Sequence, residues 1–137
     1  MIKVWTDGSC RNNGKEDAVS GIAVVAFKDN QLLFKWGGAV GWKTNNEAEY
    51  SAVLRALLKL ETYKQEPIYI YCDSALVVNQ LNGIWKIKDS KMQHFHDLIK
   101  TQISLGYADV HFNWIPREEN EIANDIAQKM SESIIRR

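Results

Sequence analysis

The order of hydrophobic periodicities along the chain constrains its fold most. Three extended segments come first with no helix between them, and only then do helix and strand patterns alternate. Residues 2–7 (Ile-Lys-Val-Trp-Thr-Asp) alternate in character as a strand does, and the polar stretch 8–17 reads as a loop. Residues 19–27 and 31–40 read as two more strands, joined into a hairpin by Lys28-Asp29-Asn30. Gly37-Gly38 predicts a weak point or a bulge in the third strand. Over 45–62, Tyr50, Val53, Leu54, Leu57 and Leu60 fall at helical spacing, and Thr44 or Asn45 can cap that helix. Pro67 opens a fourth strand over 68–72, apolar on both faces, which predicts a central strand covered on both sides. Helices follow over 75–81, stopped by Asn82-Gly83, and over 91–104. A fifth strand spans 107–114. A last helix spans 118–131 and carries Ile122, Ala123, Ile126, Ala127 and Met130, and the end, 134–137, is expected to fray. A hairpin meander followed by β-α-β units predicts an α/β domain over 1–137, a mixed sheet covered by helices. Right-handed crossovers place the first and fourth strands side by side.

Composition narrows the class. A chain of 137 residues fits one compact domain with one core. No apolar run approaches the roughly 20 residues that cross a bilayer, so no membrane partner is expected. Met1 leads straight into a strand pattern with no signal-peptide features, which predicts a cytoplasmic protein. Seventeen basic residues balance seventeen acidic ones, which excludes nucleic-acid binding by bulk charge but not by a local basic surface. Cys10 and Cys72 are too few for a disulfide scaffold and read as reduced thiols. His94, His96 and His111 are scattered, and no metal role is assigned to them.

The acidic residues are more informative. Asp7 ends the first predicted strand and Asp73 the fourth. If these strands are parallel neighbours, both carboxylates emerge at the sheet edge where ligand sites of open α/β sheets lie. On the first helix, Glu49 falls on the shoulder of the apolar stripe, and Glu47 falls with Ser51 and Arg55 on the polar face. Glu49 should therefore lean toward the sheet. Each residue also has a plainer role: Asp7 as a turn residue, Asp73 as a helix cap, Glu49 as a solvated helix residue. Their convergence favours a site. Three close anions repel unless cations neutralise them or protons stay bound. Hard oxygen ligands suit Mg²⁺ or Mn²⁺, and two such ions support phosphodiester hydrolysis without a nucleophilic side chain.

Four segments in order, Asp7-Gly8-Ser9-Cys10, Thr44-Asn45-Asn46-Glu47-Ala48-Glu49, Cys72-Asp73-Ser74 and Asn120 to Ala127, resemble the motifs of type 1 ribonuclease H. The resemblance spans about the whole chain. It implies the ribonuclease H-like fold, with five strands in the order 3-2-1-4-5 and helices on both faces. It implies an endonuclease that cuts the RNA strand of RNA/DNA hybrids with two divalent ions, Mg²⁺ or Mn²⁺, held by four acidic residues. Asp7, Glu49 and Asp73 match three of them. The fourth position departs: the family pattern resembles Asn-x-x-Ala-Asp, and Asn124 stands where the aspartate is expected, with Asp125 one place later. The helical wheel leaves Asn124 and Asp125 on opposite shoulders, and the spacing to Ile126-Ala127 favours Asn124. An uncharged amide oxygen implies weaker binding of one ion and lowered activity. Many members also carry a histidine before the last helix. Here the loop holds Arg117, a fixed donor fork for phosphate that cannot act as a base, or a surface partner of Glu118 or Glu121.

By the same resemblance, Asn13, Asn45, Asn46 and the backbone of Gly8, Ser9 and Cys10 contact the RNA. The stretch Trp85-Lys86-Ile87-Lys88, with Lys91, can meet DNA phosphates and pack Trp85 on a sugar, or be a solvated loop with an anchoring Trp. It is short beside the basic insertion of some relatives, which implies weak intrinsic affinity. The chain is expected to act as a monomer. Two other readings stand beside the hydrolase: a weakened or inactive hybrid-binding module, and a phosphate-binding ATPase of the same fold.

Overall fold

The computed structural model describes residues 1–42 and 44–135, and the side chains of 133–135 are left aside. The expected fraying of 134–137 therefore falls partly outside it, although the last helix runs on to Ile135. The elements are β1 (Ile2–Arg11), β2 (Val19–Lys28), β3 (Gln31–Val40), α1 (Asn45–Lys59), β4 (Pro67–Cys72), α2 (Ala75–Leu81), α3 (Ser90–Ser104), β5 (Asp109–Trp114) and α4 (Glu121–Ile135), with short 3₁₀ turns at 61–63 and 117–119. The sheet has the order β3-β2-β1-β4-β5, with β1–β2–β3 antiparallel and β1–β4 and β4–β5 parallel. No helix among the described residues is long and apolar enough to cross a membrane.

One face of the sheet carries the main core. Ile2, Val4, Ile68, Ile70 and Cys72 alternate inward from β1 and β4 and meet Tyr50, Val53 and Leu57 of α1 and Phe95 and Ile99 of α3. On the other face α4 presses Ala123 and Ala127 onto Ala23 and Val25. Two glycines permit that approach. A side chain at Gly21 would strike the backbone of Ala127 and Ser131, and one at Gly37 would strike Ile126 and Met130. Gly37 is thus a packing residue, and the register shift of the β2–β3 pair lies at Ala26/Phe27 instead of at the glycines.

Three further expectations are corrected. The first strand does not end at Asp7: Gly8 to Arg11 continue it against β2 through Arg11↔Val19. The strand buried on both faces is β2, where Ser20 to Ala26 are all inaccessible, while Tyr69 and Tyr71 of β4 stay half-exposed. The reason is the position of α4, which lies over β1, β2 and β3. Beyond its reach the face is covered by stacked rings, Trp5 on Tyr71 and Tyr69 on His111. Finally, Ile122 lies on the open side of α4, 53% exposed, so the apolar stripe of this helix is narrower than its sequence implies.

Candidate active site

The β1–β4 ladder ends at Thr6↔Cys72, so Asp7 and Asp73 leave it together at one edge of the sheet. Asp7 is still held on its other side by pairing with Ala23, which makes it a strand residue and not a turn residue. Ser74 caps α2 by accepting from the Val77 amide at 3.3 Å, which leaves the Asp73 carboxylate free of that task. The indole Nε1 of Trp114 donates to the Asp73 carbonyl at 3.1 Å and fixes the chain there.

Glu49 reaches this edge because α1 lies directly on β1. A side chain at Gly8 would run into the backbone of Ala48 and Glu49, so only glycine allows this contact. The Gly8 amide in turn donates to Glu49 Oε1. Thr44 caps α1, accepting from the Glu47 amide at 3.2 Å. Asn45 is therefore not the cap. Its Oδ1 accepts from the Cys10 amide at 2.8 Å, and its own amide donates to Asn13 Oδ1 at 2.7 Å, tying the end of β1 to the start of α1.

One carboxylate oxygen from each of Asp7, Glu49 and Asp73 lies within 4.8 Å of the other two. Asp7 and Glu49 are buried and Asp73 is half-buried. Burial, then the charge of Asp73, pushes Asp7 up to about 7, against the opposing pull of Arg117. Burial, then the charges of Asp7 and Asp73, holds Glu49 well above the usual carboxylate range. Without a cation, this site keeps protons that ordinary carboxyl groups lose. Buried hard oxygens at this spacing, with excess negative charge, are the donor set that divalent magnesium or manganese prefers.

The cleft around them has a volume of about 280 Å³ and is lined also by Gly8, Ser9, Asn45, Asn46, Arg117 and Asn124. Asn124 Nδ2 donates to Asp7 Oδ2 at 3.0 Å, while Asp125 is exposed and pairs with Lys129 at 3.1 Å. Asn124, not Asp125, is the residue that faces the carboxylates. Asn13 opens on an adjoining cavity of about 330 Å³, shared with Asn45 and Asn46. Cys10 sits beside both through its amide.

Two expectations fail here. Glu47 is buried, not solvated, and its carboxylate lies 3.7 Å from Lys91 Nζ, because α3 packs across this side of α1. Trp85 does not anchor its loop: it is 47% exposed, and Lys86 and Lys88 are exposed beside it. That stretch does not line the carboxylate cleft. Asn120, which opens the last motif and has no role predicted from sequence, is buried between Thr6 and Asp73. Its spacing of four from Asn124, one helical turn, was the available signal.

Comparison with known proteins agrees with this fold. Residues 5–130 match the family model described as reverse transcriptase-like. Ribonuclease HI of Halobacterium salinarum is 29% identical over 128 residues, which cover 93% of this chain and 63% of that protein. The chain thus spans less than two thirds of the length of that relative. The structure of LC11-RNase H1 in complex with an RNA/DNA hybrid superposes with a TM-score of 0.91 at 27% identity, covering 98% of this chain and 99% of that one. RNase H1 from the same halophilic archaeon superposes with a TM-score of 0.84 at 28% identity, covering 96% and 98%. With five strands in the same order, three carboxylates at one edge and a family match over most of its length, the chain belongs to the type 1 ribonuclease H family.

Proposed function

We propose that the protein hydrolyses the RNA strand of RNA/DNA hybrids, using two divalent ions held by Asp7, Glu49, Asp73 and Asn124. The observation that carries this reading is the set of three carboxylate oxygens within 4.8 Å of one another, in a cleft bordered by Asn45 and Asn46. When bound, Mg²⁺ or Mn²⁺ ions supply an activated water and stabilisation of the leaving oxygen. The chain supplies the rest. Asp7 and Glu49 would hold an ion only in their ionised form, so loading the site would release the protons that burial retains. Asn124 would contribute a neutral carboxamide oxygen. Asn13, Asn45, Asn46 and the backbone of Gly8 to Cys10 hold the RNA strand, whose 2′-hydroxyls distinguish it from DNA. Arg117 meets a phosphate at the cleft wall. Trp85, Lys86 and Lys88 meet the DNA strand outside the cleft.

The amide at 124 favours a second reading, a module that binds hybrids and cuts them slowly or not at all. One charge at about 4 Å is worth roughly 1 to 4 kcal/mol under partial screening. Asn124→Asp should therefore strengthen Mg²⁺ binding by about tenfold or more and speed cleavage of a labelled RNA/DNA duplex. Slow native cleavage, faster in Mn²⁺ than in Mg²⁺, supports the hydrolase. Hybrid binding with cleavage only in Asn124→Asp makes the native chain a binding module. Cleavage in neither form overturns the proposal, and ATP hydrolysis in its place revives the phosphate-binding reading.

A further inference from the structure

We propose that Asn120 is a positioning residue whose carboxamide holds the Asp73 carboxylate against the β1 backbone, so that Asp73 shares a cation with Asp7 and Glu49. The inference rests on the metal-dependent reading above and adds a residue that reading does not use. Asn120 is 2% exposed, at the entry to α4. Its Nδ2 carries two hydrogens and has two acceptors: the Thr6 carbonyl at 2.9 Å and Asp73 Oδ2 at 3.1 Å. Thr6 directly precedes Asp7. One amide therefore couples the backbone that carries Asp7 to the side chain of Asp73, and α4, which carries Asn124, to both.

Asp73 needs such a hold. It lies just past the last β1–β4 pair, and among the described residues Asn120 is the one side chain that donates to its carboxylate. Wherever Asp7 and Glu49 are ionised, their repulsion would turn it toward solvent. A lysine or arginine in place of Asn120 would also restrain it, but would cancel the charge that draws a divalent ion. A neutral donor restrains without cancelling. Packing does not account for the residue either. Asn120 Oδ1 is buried with no hydrogen-bond partner among the described residues, so this end of the carboxamide gives no reason for a polar side chain here. The polar group is kept for what Nδ2 does.

The test compares the full chain with Asn120→Leu and Asn120→Ser by calorimetric titration with Mn²⁺, with circular dichroism in EDTA as the folding control. Loss of a partner that orients a metal ligand lowers affinity by roughly 10- to 100-fold. Both variants should show that loss, and their cleavage of a hybrid should recover as Mn²⁺ is raised to saturation, which a merely unstable variant would not do. Folded variants that bind Mn²⁺ as the native chain does overturn the inference and leave the proposed function standing. A native chain that takes up no divalent ion overturns both. If neither variant folds, the native protein decides. In ¹⁵N-labelled chain the Asn120 carboxamide protons should be protected from solvent exchange and stay so in saturating Mg²⁺. Rapid exchange of both protons with solvent overturns the inference.

Discussion

Burial of Asp7 works against its own ionisation. Its carboxyl is pushed from 3.8 to about 7 by burial and then by Asp73, so the folded chain binds this proton more tightly than the unfolded chain. Between those two values the folded state carries the extra proton. The contribution of Asp7 to stability is then most favourable at low pH and is lost as pH rises toward about 7, by an amount on the order of a few kcal/mol. Asp7→Asn removes the titration. In EDTA it should melt well above the native chain near pH 8 and close to it near pH 4, and Mg²⁺ should raise the melting temperature of the native chain alone. Equal pH dependence of the two in EDTA would refute the account. At this scale the sequence was only partly legible. The helical wheel selects Glu49, which is buried, but it misassigns Glu47, because α3 packs on the face that the wheel leaves to solvent. It also left Asn124 and Asp125 equivalent. What separates them is the position of Asp7 across the cleft, a long-range fact that no helical period contains.

The carboxylates meet only as closely as α1 and β1 allow, and the spacing of those elements is set at Gly8. Gly8→Ala would drive a methyl group into the backbone of Ala48 and Glu49. We expect a loss of about 1–3 kcal/mol in chemical denaturation, the usual cost of overpacking, with weaker Mn²⁺ binding as Glu49 retreats. Gly41→Ala, where nothing among the described residues lies within 4 Å of the added carbon, should stay within about 0.5 kcal/mol of the native chain and bind Mn²⁺ normally. Equal effects of the two substitutions would count against close approach as the function of Gly8. Element identity was legible because each element has its own period and its own stop, such as Pro67 before β4 and Asn82-Gly83 after α2. Coverage was not. Apolar residues on both faces of β4 suggested two helical layers, yet Tyr69 and Tyr71 are screened by ring stacking, which period and hydropathy do not distinguish from helix packing.

For the whole molecule, charge separates affinity from chemistry. The chain is neutral overall, with 17 basic and 17 acidic residues, and its cleft is built around three carboxyl groups. Under the proposed function, attraction to a polyanionic duplex would have to come from ions in the cleft and from a few cations outside it. Part of the basic surface is already committed: Arg11 pairs with Glu132, Lys28 with Glu66, Lys129 with Asp125, and Lys91 lies beside Glu47. Among the residues expected to contact the hybrid, Lys86 and Lys88 are exposed and Arg117 lines the cleft. Each phosphate neutralised by such a cation steepens the dependence of log K on log salt by about 0.9. For three contacts the slope should lie near −3, shallow for a duplex-binding protein, with Ca²⁺ present to load the site without cutting. Replacing both Lys86 and Lys88 by Ala should flatten the slope by about 2 and weaken binding, while leaving the metal dependence of cleavage on bound substrate unchanged. A native slope much steeper than this would mean that cations elsewhere on the surface meet the duplex. An unchanged slope in the double variant would remove the 85–88 stretch from the interface and assign its share of the slope to other cations of the chain.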